Sequence, residues 1–307
     1  MFEFYIRYEY WFAATQLALA MFGMGATLRV RDFAAVVRNP WPIAVGTVLQ
    51  IIGVPLLALL FLAVFPLDPG VAIGLALCAA IPGGTMSNVF TFLGRGHVAL
   101  SIALTGVTTV ACLVTTPIVL GLLIAQHMPV EFAMPAGQVA IEIALILLLP
   151  LTLGMVFLVV LPDLAPRVSK VSIRGSLFII LLIVVGAMGS GRVDLEKFGL
   201  FNLGVVLLFL FFLATASWLI PWLARVQRPD NTAINIEVTV RNGNLGLLIK
   251  ASLFPALAGV ADPVGDNVLF TVLIYGGAAL LVGFGQIYLH RYLNRDIPLS
   301  YGDVTGR

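Results

Sequence analysis

The stretch "IEVTVRNGNLG" (236–246) places a glutamate and an arginine four residues apart in a segment that is otherwise apolar enough to lie in a membrane. The Asn-Gly-Asn triplet at 242–244 then weakens the helix that carries them. Because an ionisable side chain is costly inside a bilayer, Glu237 and Arg241 indicate a functional site. The stretch therefore predicts a membrane helix that is interrupted beside two charged groups.

The composition of the whole chain predicts the same environment. The 307 residues are 60% hydrophobic and only 10% charged, and the mean hydropathy is +1.06. Soluble domains carry about 25% charged residues, so this chain is expected to be a membrane protein. The net charge of +2 gives no reason to expect nucleic acid. Cys78 and Cys112 lie in apolar segments without metal-ligand spacing, and we interpret both as small buried hydrophobes.

Apolar runs long enough to cross a bilayer follow one another along the chain. A crossing helix needs about 20 such residues, and we predict about nine spans. The fold class is therefore an all-α polytopic membrane protein, with a single integral membrane domain over 1–307. The predicted spans are 9–28, 41–65, 70–93, 98–126, 137–161, 171–190, 199–223, 231–254 and 265–289.

Lysine and arginine set the predicted orientation. With an external N-terminus, most of the 17 basic residues fall in cytoplasmic segments, and the C-terminus is cytoplasmic as well. We predict a multi-pass protein of the cell's inner (plasma) membrane that is a monomer. Lys250 lies about two turns beyond Arg241, and we expect its long side chain to snorkel to the outer interface.

A second span carries a break like the one at 236–246. The segment "IPGGTMSNVF" (81–90) contains Pro82, which lacks a backbone donor, followed by two glycines. Backbone groups freed in this way must line a cavity or be buried in protein. Two broken spans about half a chain apart are typical of a transporter built from inverted repeats. The alternative is that these residues only kink packed helices.

Side chains with oxygen atoms gather near the two breaks. Ser101 and Thr105 lie one turn apart, which places them on one helix face. Carboxylate, amide and hydroxyl oxygens are the ligands that hard cations prefer. The oxygen-bearing side chains in question are Gln50, Thr85, Ser87, Asn88, Ser101, Thr105 and Glu237.

These motifs resemble the bile acid:sodium symporter family. The resembling segments are "MFGMGATL" (21–28), "IPGGTMSNVFTFLGRGHVALSIALT" (81–105) and the opening stretch, within a likeness from about 17 to 290. Family members carry a P-G-G-T-x-S-N break, a G-(D/N)-V-A-L-S-x-A-x-T segment and an E-V-x-x-Q-N break. The resemblance implies a nine- or ten-helix fold with a panel domain, a core domain and two discontinuous helices that cross at mid-membrane. It also implies transport of organic anions, bile acids or smaller carboxylates, with two sodium ions.

The resemblance also implies particular site residues. The first sodium site would comprise Ser87, Asn88, Ser101, Thr105 and Glu237, which all match the family in type. The second would use Gln50, Glu237, the backbone around Val238 and Val240, and a glutamine where this chain has Arg241. The candidate substrate-binding residues are Thr85, Asn88, Arg241, Asn242 and Tyr275.

Arg241 departs from the family pattern, and three interpretations remain open. It can form an ion pair with Glu237 at i and i+4 of one helix. It can replace the second sodium ion as a tethered cation, since like-charge repulsion there costs several kcal/mol at an effective dielectric constant of about 20. Its planar fork also suits an anionic substrate. We predict that Glu237 holds the guanidinium, so that one sodium ion remains and the second is in doubt.

The predicted function is secondary active transport of an organic anion by alternating access, with the lipid bilayer as the other partner. A sodium-independent carrier, either proton-coupled or uncoupled, is an alternative, and a channel or a ligand-binding receptor would be a different class. An enzyme is not expected, because the three histidines lie at span ends and no aspartate lies in mid-span. The sequence leaves open whether the substrate is bile-acid-like or a small carboxylate.

Overall fold

A computed structural model of the chain describes residues 2–30, 40–127, 134–257 and 259–296. Nearly all of these residues are helical, and the one β-type pairing among them is an isolated bridge between Gly83 and Arg241. Six helices of 24 to 31 residues are long and apolar enough to cross a membrane. The prediction of an all-helical integral membrane protein is confirmed to that extent.

Twelve helices make up the described residues. In chain order they are α1 (Phe2–Gly25), α2 (Pro40–Val64), α3 (Pro69–Ala80), α4 (Thr85–Leu93), α5 (Val98–Ile124), α6 (Ala136–Val160), α7 (Ala165–Gly189), α8 (Leu195–Phe198), α9 (Leu200–Leu223), α10 (Arg228–Thr239), α11 (Gly243–Leu253) and α12 (Pro263–Leu293). The six long apolar helices are α2, α5, α6, α7, α9 and α12. A short 3₁₀ turn, Ala125–His127, follows α5.

Both predicted interruptions are present in the structure. Residues 81–84 separate α3 from α4, and residues 240–242 separate α10 from α11. Ile81 is extended, as the residue before a proline is expected to be. At the second break the Asn242 side chain accepts a hydrogen bond from the Leu245 backbone N–H at 3.3 Å and so caps α11.

The helices pack in two groups. α1 lies along α7 and α6, and these three helices form the first group. In the second group α3 packs against α12 and α5, and α9 packs against α10 and α12. All four halves of the two broken helices contact this second group, although α11 also touches α1. The breaks are therefore surrounded by protein rather than lipid, as the freed backbone groups require.

Two of the long helices widen into π turns next to a proline. In α2 the π turn is Leu49–Gly53 and precedes Pro55; in α6 it is Ile143–Leu148 and precedes Pro150. A proline inside a helix lacks its N–H and clashes with the carbonyl of residue i−4, and a π turn relieves that clash. The turn in α2 carries Gln50, which is buried.

The expectation that Lys250 snorkels is wrong. Its side chain is fully buried, and its Nζ lies 2.8 and 3.0 Å from the two carboxylate oxygens of Glu9. Arg192 extends this cluster, since it lies 3.0 Å from Glu9 and also pairs with Asp266. The physical reason is that α1 brings a carboxylate to the end of α11, so pairing replaces solvation. The cluster joins α1 and the segment after α7 to α11 and α12.

Candidate functional site

The two breaks lie against each other and exchange backbone hydrogen bonds. The Gly84 N–H donates to the Val240 carbonyl at 3.0 Å, and the Asn242 N–H donates to the Pro82 carbonyl at 2.9 Å. These bonds satisfy groups that have no helical partner. A Cβ at Gly83 would lie only 2.0 Å from Glu237 Oε1. Glycine therefore lets the carboxylate approach the opposite chain closely.

Glu237 is fully buried and lies among three hydroxyl groups. Ser87, at the start of α4, donates to its Oε2, and so does Ser101 of α5 at 3.0 Å. Thr105, one turn after Ser101, donates to Oε1 at 2.5 Å and is 3.5 Å from the Asn88 amide oxygen. The structure thus brings together the five residues predicted as the first sodium site.

This cluster has the chemistry of a site for a hard cation. It offers carboxylate, hydroxyl and amide oxygens from α4, α5 and α10, which are the ligand types that such cations bind. Among the described residues none forms a salt bridge with Glu237. A buried carboxylate held only by hydroxyls is costly, and a bound cation would offset that cost. The residues present therefore fit a sodium ion.

Arg241 does not pair with Glu237, contrary to the predicted contact. α10 ends at Thr239, so the two residues are not neighbours on one continuous helix. The Arg241 guanidinium donates through Nη2 to the carbonyl of Ala79 at 3.1 Å and to that of Ile81. These carbonyls belong to the C-terminal end of α3, where the helix dipole favours a cation. Arg241 therefore caps α3, and its side chain is only 7% exposed.

Gln50, one of the residues predicted for a second sodium site, lies near this guanidinium, since both side chains border the same small cavity. The Gln50 amide oxygen accepts a hydrogen bond from the Gly83 N–H at 3.1 Å. The Val240 carbonyl already accepts from Gly84, and Val238 is fully buried. The carbonyl oxygens at the end of α3 receive N–H groups of Arg241. The structure thus places a fixed positive charge at the end of α3, beside a cavity that Gln50 also borders.

A cleft of about 280 Å³ lies between the first helix group and the crossing, which is the place where the two breaks meet. Its polar lining residues are Thr85 at the start of α4, Arg241 and Asn242 of the second break, Asn244 of α11 and Ser176 of α7. The remaining walls are mainly apolar side chains of α7, α11 and α12, together with two adjacent glycines, Gly276 and Gly277. The cleft is therefore amphipathic, with one polar end at the crossing.

Two of the predicted substrate-binding residues do not line this cleft. Tyr275 is buried, and its hydroxyl donates to the Thr239 carbonyl at 2.9 Å, so it supports the end of α10. Asn88 lies beside Thr105 in the hydroxyl cluster. Thr85, Arg241 and Asn242 do line the cleft.

Sequence reasoning missed a polar network between α10 and α12, next to the crossing. Gln286 donates to the Asn235 amide oxygen at 3.0 Å and to the Thr239 hydroxyl at 2.9 Å. His290 lies 2.8 Å from the same amide oxygen. The signal was available, because Asn235 and Thr239, like Gln286 and His290, are spaced by four residues on one helix face. The network fixes α10 against α12 just before the second break.

This architecture defines a class: a helical membrane transporter in which two broken helices cross beside a buried carboxylate. The chain belongs to the Sodium Bile acid symporter family, whose profile matches residues 14–191.

Individual relatives support the same assignment over most of the chain. An uncharacterized sodium-dependent transporter, YocS of Bacillus subtilis (strain 168), is 31% identical over 248 residues, which cover 81% of this chain and 76% of YocS. A sodium-dependent organic anion transporter of Bos taurus is 27% identical over 298 residues, or 95% of this chain and 75% of the relative. The chloroplastic probable sodium/metabolite cotransporter BASS2 of Oryza sativa subsp. japonica is 31% identical over 291 residues, which span 94% of this chain and 65% of its own length.

Proposed function

We propose that the protein is a secondary active transporter that moves organic anions with a sodium ion by alternating access. Transport rather than catalysis is supported by the names of the relatives and by the crossing of the two breaks. In this proposal one transporter domain spans 1–307. The first helix group (α1, α6 and α7) acts as the panel, and the remaining helices act as the core.

The proposal also sets the topology. The six long apolar helices, α1 and the two broken pairs together make about nine crossings of a bilayer. The distribution of lysine and arginine supports an external N-terminus, a cytoplasmic C-terminus and location in the plasma membrane of the cell. The charge cluster of Glu9, Arg192, Lys250 and Asp266 then lies toward the external side.

The observation that carries the proposal is the environment of Glu237. A carboxyl group, three hydroxyls and an amide oxygen converge on a point between two broken helices. Sodium bound there would bridge α4, α5 and α10. Because it would hold the two breaks together, its binding and release provide a physical link between ion occupancy and the crossing that lines the cleft.

We further propose that Arg241 stands in for a second sodium ion. Its guanidinium stays protonated under all accessible conditions. It interacts with the carbonyl oxygens at the end of α3 and lies beside Gln50, within the set of residues that the family resemblance assigns to that ion. A second mobile cation there would face this fixed charge at close range, and the repulsion would cost several kcal/mol. One sodium ion per cycle is therefore the expected stoichiometry.

The shape of the cleft supports an amphipathic anion as substrate. Its apolar walls suit a hydrocarbon body, and Thr85, Asn242 and Asn244 offer hydrogen bonds at the crossing. The start of α11 also lies at this end, where its dipole favours negative charge. A carboxylate or sulfonate directed toward the crossing satisfies all of these groups.

The test combines stability and uptake. Purified protein should become more heat-stable when sodium replaces choline, and proteoliposomes should accumulate taurocholate or pyruvate along a sodium gradient. Glu237→Gln should abolish both effects because it removes the central charge. Glu142→Gln is the matched control: Glu142 is also buried but bonds Gln138 and Ser252 away from the crossing. Sodium responses that persist in Glu237→Gln would refute the assignment and favour a sodium-independent carrier.

A further inference from the structure

A second, smaller cavity borders Arg241 on the side of α2 and α5. Its volume is about 10 Å³, and its lining includes Gln50, Pro55, Ala79, Thr108, Thr115 and Arg241. Gln50 contributes to this cavity and not to the amphipathic cleft, whereas Arg241 contributes to both. We call it the Gln50 pocket.

Three hydrogen-bond donors around the Gln50 pocket have no acceptor in the part of the chain that the structure describes. They are Nε2 of Gln50 and Nε and Nη1 of Arg241. Both side chains are more than nine-tenths buried, with 2% and 7% exposure. An unsatisfied buried donor costs about 1–3 kcal/mol, and the cost is larger on a charged group.

The donor character of these three groups and the positive charge of the guanidinium identify the missing partner. All three are N–H donors, and one guanidinium supplies a full positive charge. The nearest carboxylate in sequence, Glu237, is engaged by hydroxyls and forms no salt bridge with Arg241. The other polar atom of Gln50, its amide oxygen, already accepts from Gly83. A cation would be repelled here, and an acceptor with negative charge would satisfy all three donors.

We propose that the Gln50 pocket binds a small monovalent anion, either a carboxylate group or a halide ion, held by the Gln50 amide and the Arg241 guanidinium. In this chain the neighbourhood assigned to the second sodium ion has become an anion site. The Arg241 guanidinium would therefore have two roles: it replaces the second sodium ion, and it supplies the main hydrogen bonds to the anion. If the anion is the carboxylate of the transported molecule, the inference rests on the proposed function. If the anion is a free halide ion, the inference is independent of the proposed function.

The size of the pocket limits what can enter. A volume of about 10 Å³ has room for about one water-sized group, such as a chloride ion or the end of a carboxylate, and not for the body of an amphipathic substrate. The anion would also link α2 to the break between α10 and α11, because Gln50 lies on the first and Arg241 on the second. Anion binding should therefore stabilise the fold measurably.

The experiment is thermal unfolding of the purified protein in detergent without sodium, at constant ionic strength set by choline gluconate. Choline chloride and choline acetate are titrated separately. We expect a saturable rise in Tm with at least one of them. Chloride alone acting identifies a free halide, and acetate acting more strongly identifies the carboxylate of a substrate.

Gln50→Glu is the decisive variant, because it keeps the oxygen that accepts from Gly83 and replaces the donor with a negative charge. It should weaken anion binding roughly tenfold or more. Gln16→Glu is the matched control: Gln16 is a buried glutamine of α1 that bonds Ser176. The control should keep the anion response.

Two further variants keep the inference separate from the sodium assignment. Glu237→Gln should lose the sodium response and retain the anion response. If Gln50→Glu does not fold, Arg241→Gln provides the same test, since it removes two of the three donors. The absence of a saturable response to either anion, or an unchanged response in Gln50→Glu and Arg241→Gln, would overturn the inference and leave the sodium site unaffected.

Discussion

Replacing Gly83 by alanine should disable the ion site without removing a single oxygen ligand. A Cβ at this position would lie 2.0 Å from Glu237 Oε1 and 2.7 Å from the carboxylate carbon. Non-bonded heavy atoms pack at about 3.5 Å, so the carboxylate must retreat by roughly 1 Å or more. Thr105 and Ser101 donate to it at 2.5 and 3.0 Å, and at least one of these bonds would be lost.

The magnitude follows from these lost bonds. A hydrogen bond to a charged group contributes about 1.5–3 kcal/mol, and the retreat removes one or two of the three that hold Glu237. A loss of about 3 kcal/mol corresponds to a roughly 100-fold lower affinity. We therefore expect the sodium concentration for half-maximal stabilisation to rise by about two orders of magnitude.

The assay is the rise in Tm of detergent-purified protein as sodium replaces choline. Gly285→Ala is the control, because Gly285 lies in α12 and a Cβ there meets nothing within 4 Å. The control should match the parent protein in both Tm and sodium response. A Gly83→Ala protein that folds and keeps the parent's sodium affinity would show that the Glu237 cluster is not the ion site.

Two other predictions concern the charge cluster and the cleft. Lys250→Met should destabilise the protein by about 3 kcal/mol, because buried Glu9 loses one of its cationic partners and keeps Arg192. Lys197→Met, at a side chain that is 79% exposed, should cost under about 1 kcal/mol. Equal effects in thermal unfolding would contradict the burial of the pair. Gly276→Leu should fill space in the cleft that no neighbouring atom occupies. Uptake of the large anion taurocholate should therefore fall more than uptake of pyruvate. Equal losses of uptake for the two anions would argue against the cleft as the substrate site.

Local chemistry explains why the breaks could be predicted from the sequence. Pro82 removes a donor and the two glycines after it weaken the helix, and Asn242 is a good cap for the helix that follows. These effects act within a few residues, so no tertiary information is needed. The oxygen-bearing residues near the breaks could be singled out for the same reason, together with the family motifs that carry them.

Contacts between distant segments explain what could not be predicted. The partner of Lys250 is Glu9, which lies 241 residues away, so the sequence showed only an isolated lysine. The direction of Arg241 depends on where α10 ends. With two more helical residues it would be a neighbour of Glu237, but the helix ends at Thr239 and the guanidinium turns to α3. Tyr275 was assigned by its region alone, and its hydroxyl instead bonds the end of α10.

The central claim is that Glu237 holds one sodium ion while Arg241 takes the place of another. The most direct measurement is the dependence of uptake on sodium concentration in proteoliposomes, for the parent protein and for Arg241→Gln. A Hill coefficient cannot exceed the number of coupled sites. We predict a coefficient of about one for the parent, rising toward two once glutamine restores the family's residue. A coefficient near two in the parent protein would contradict the account.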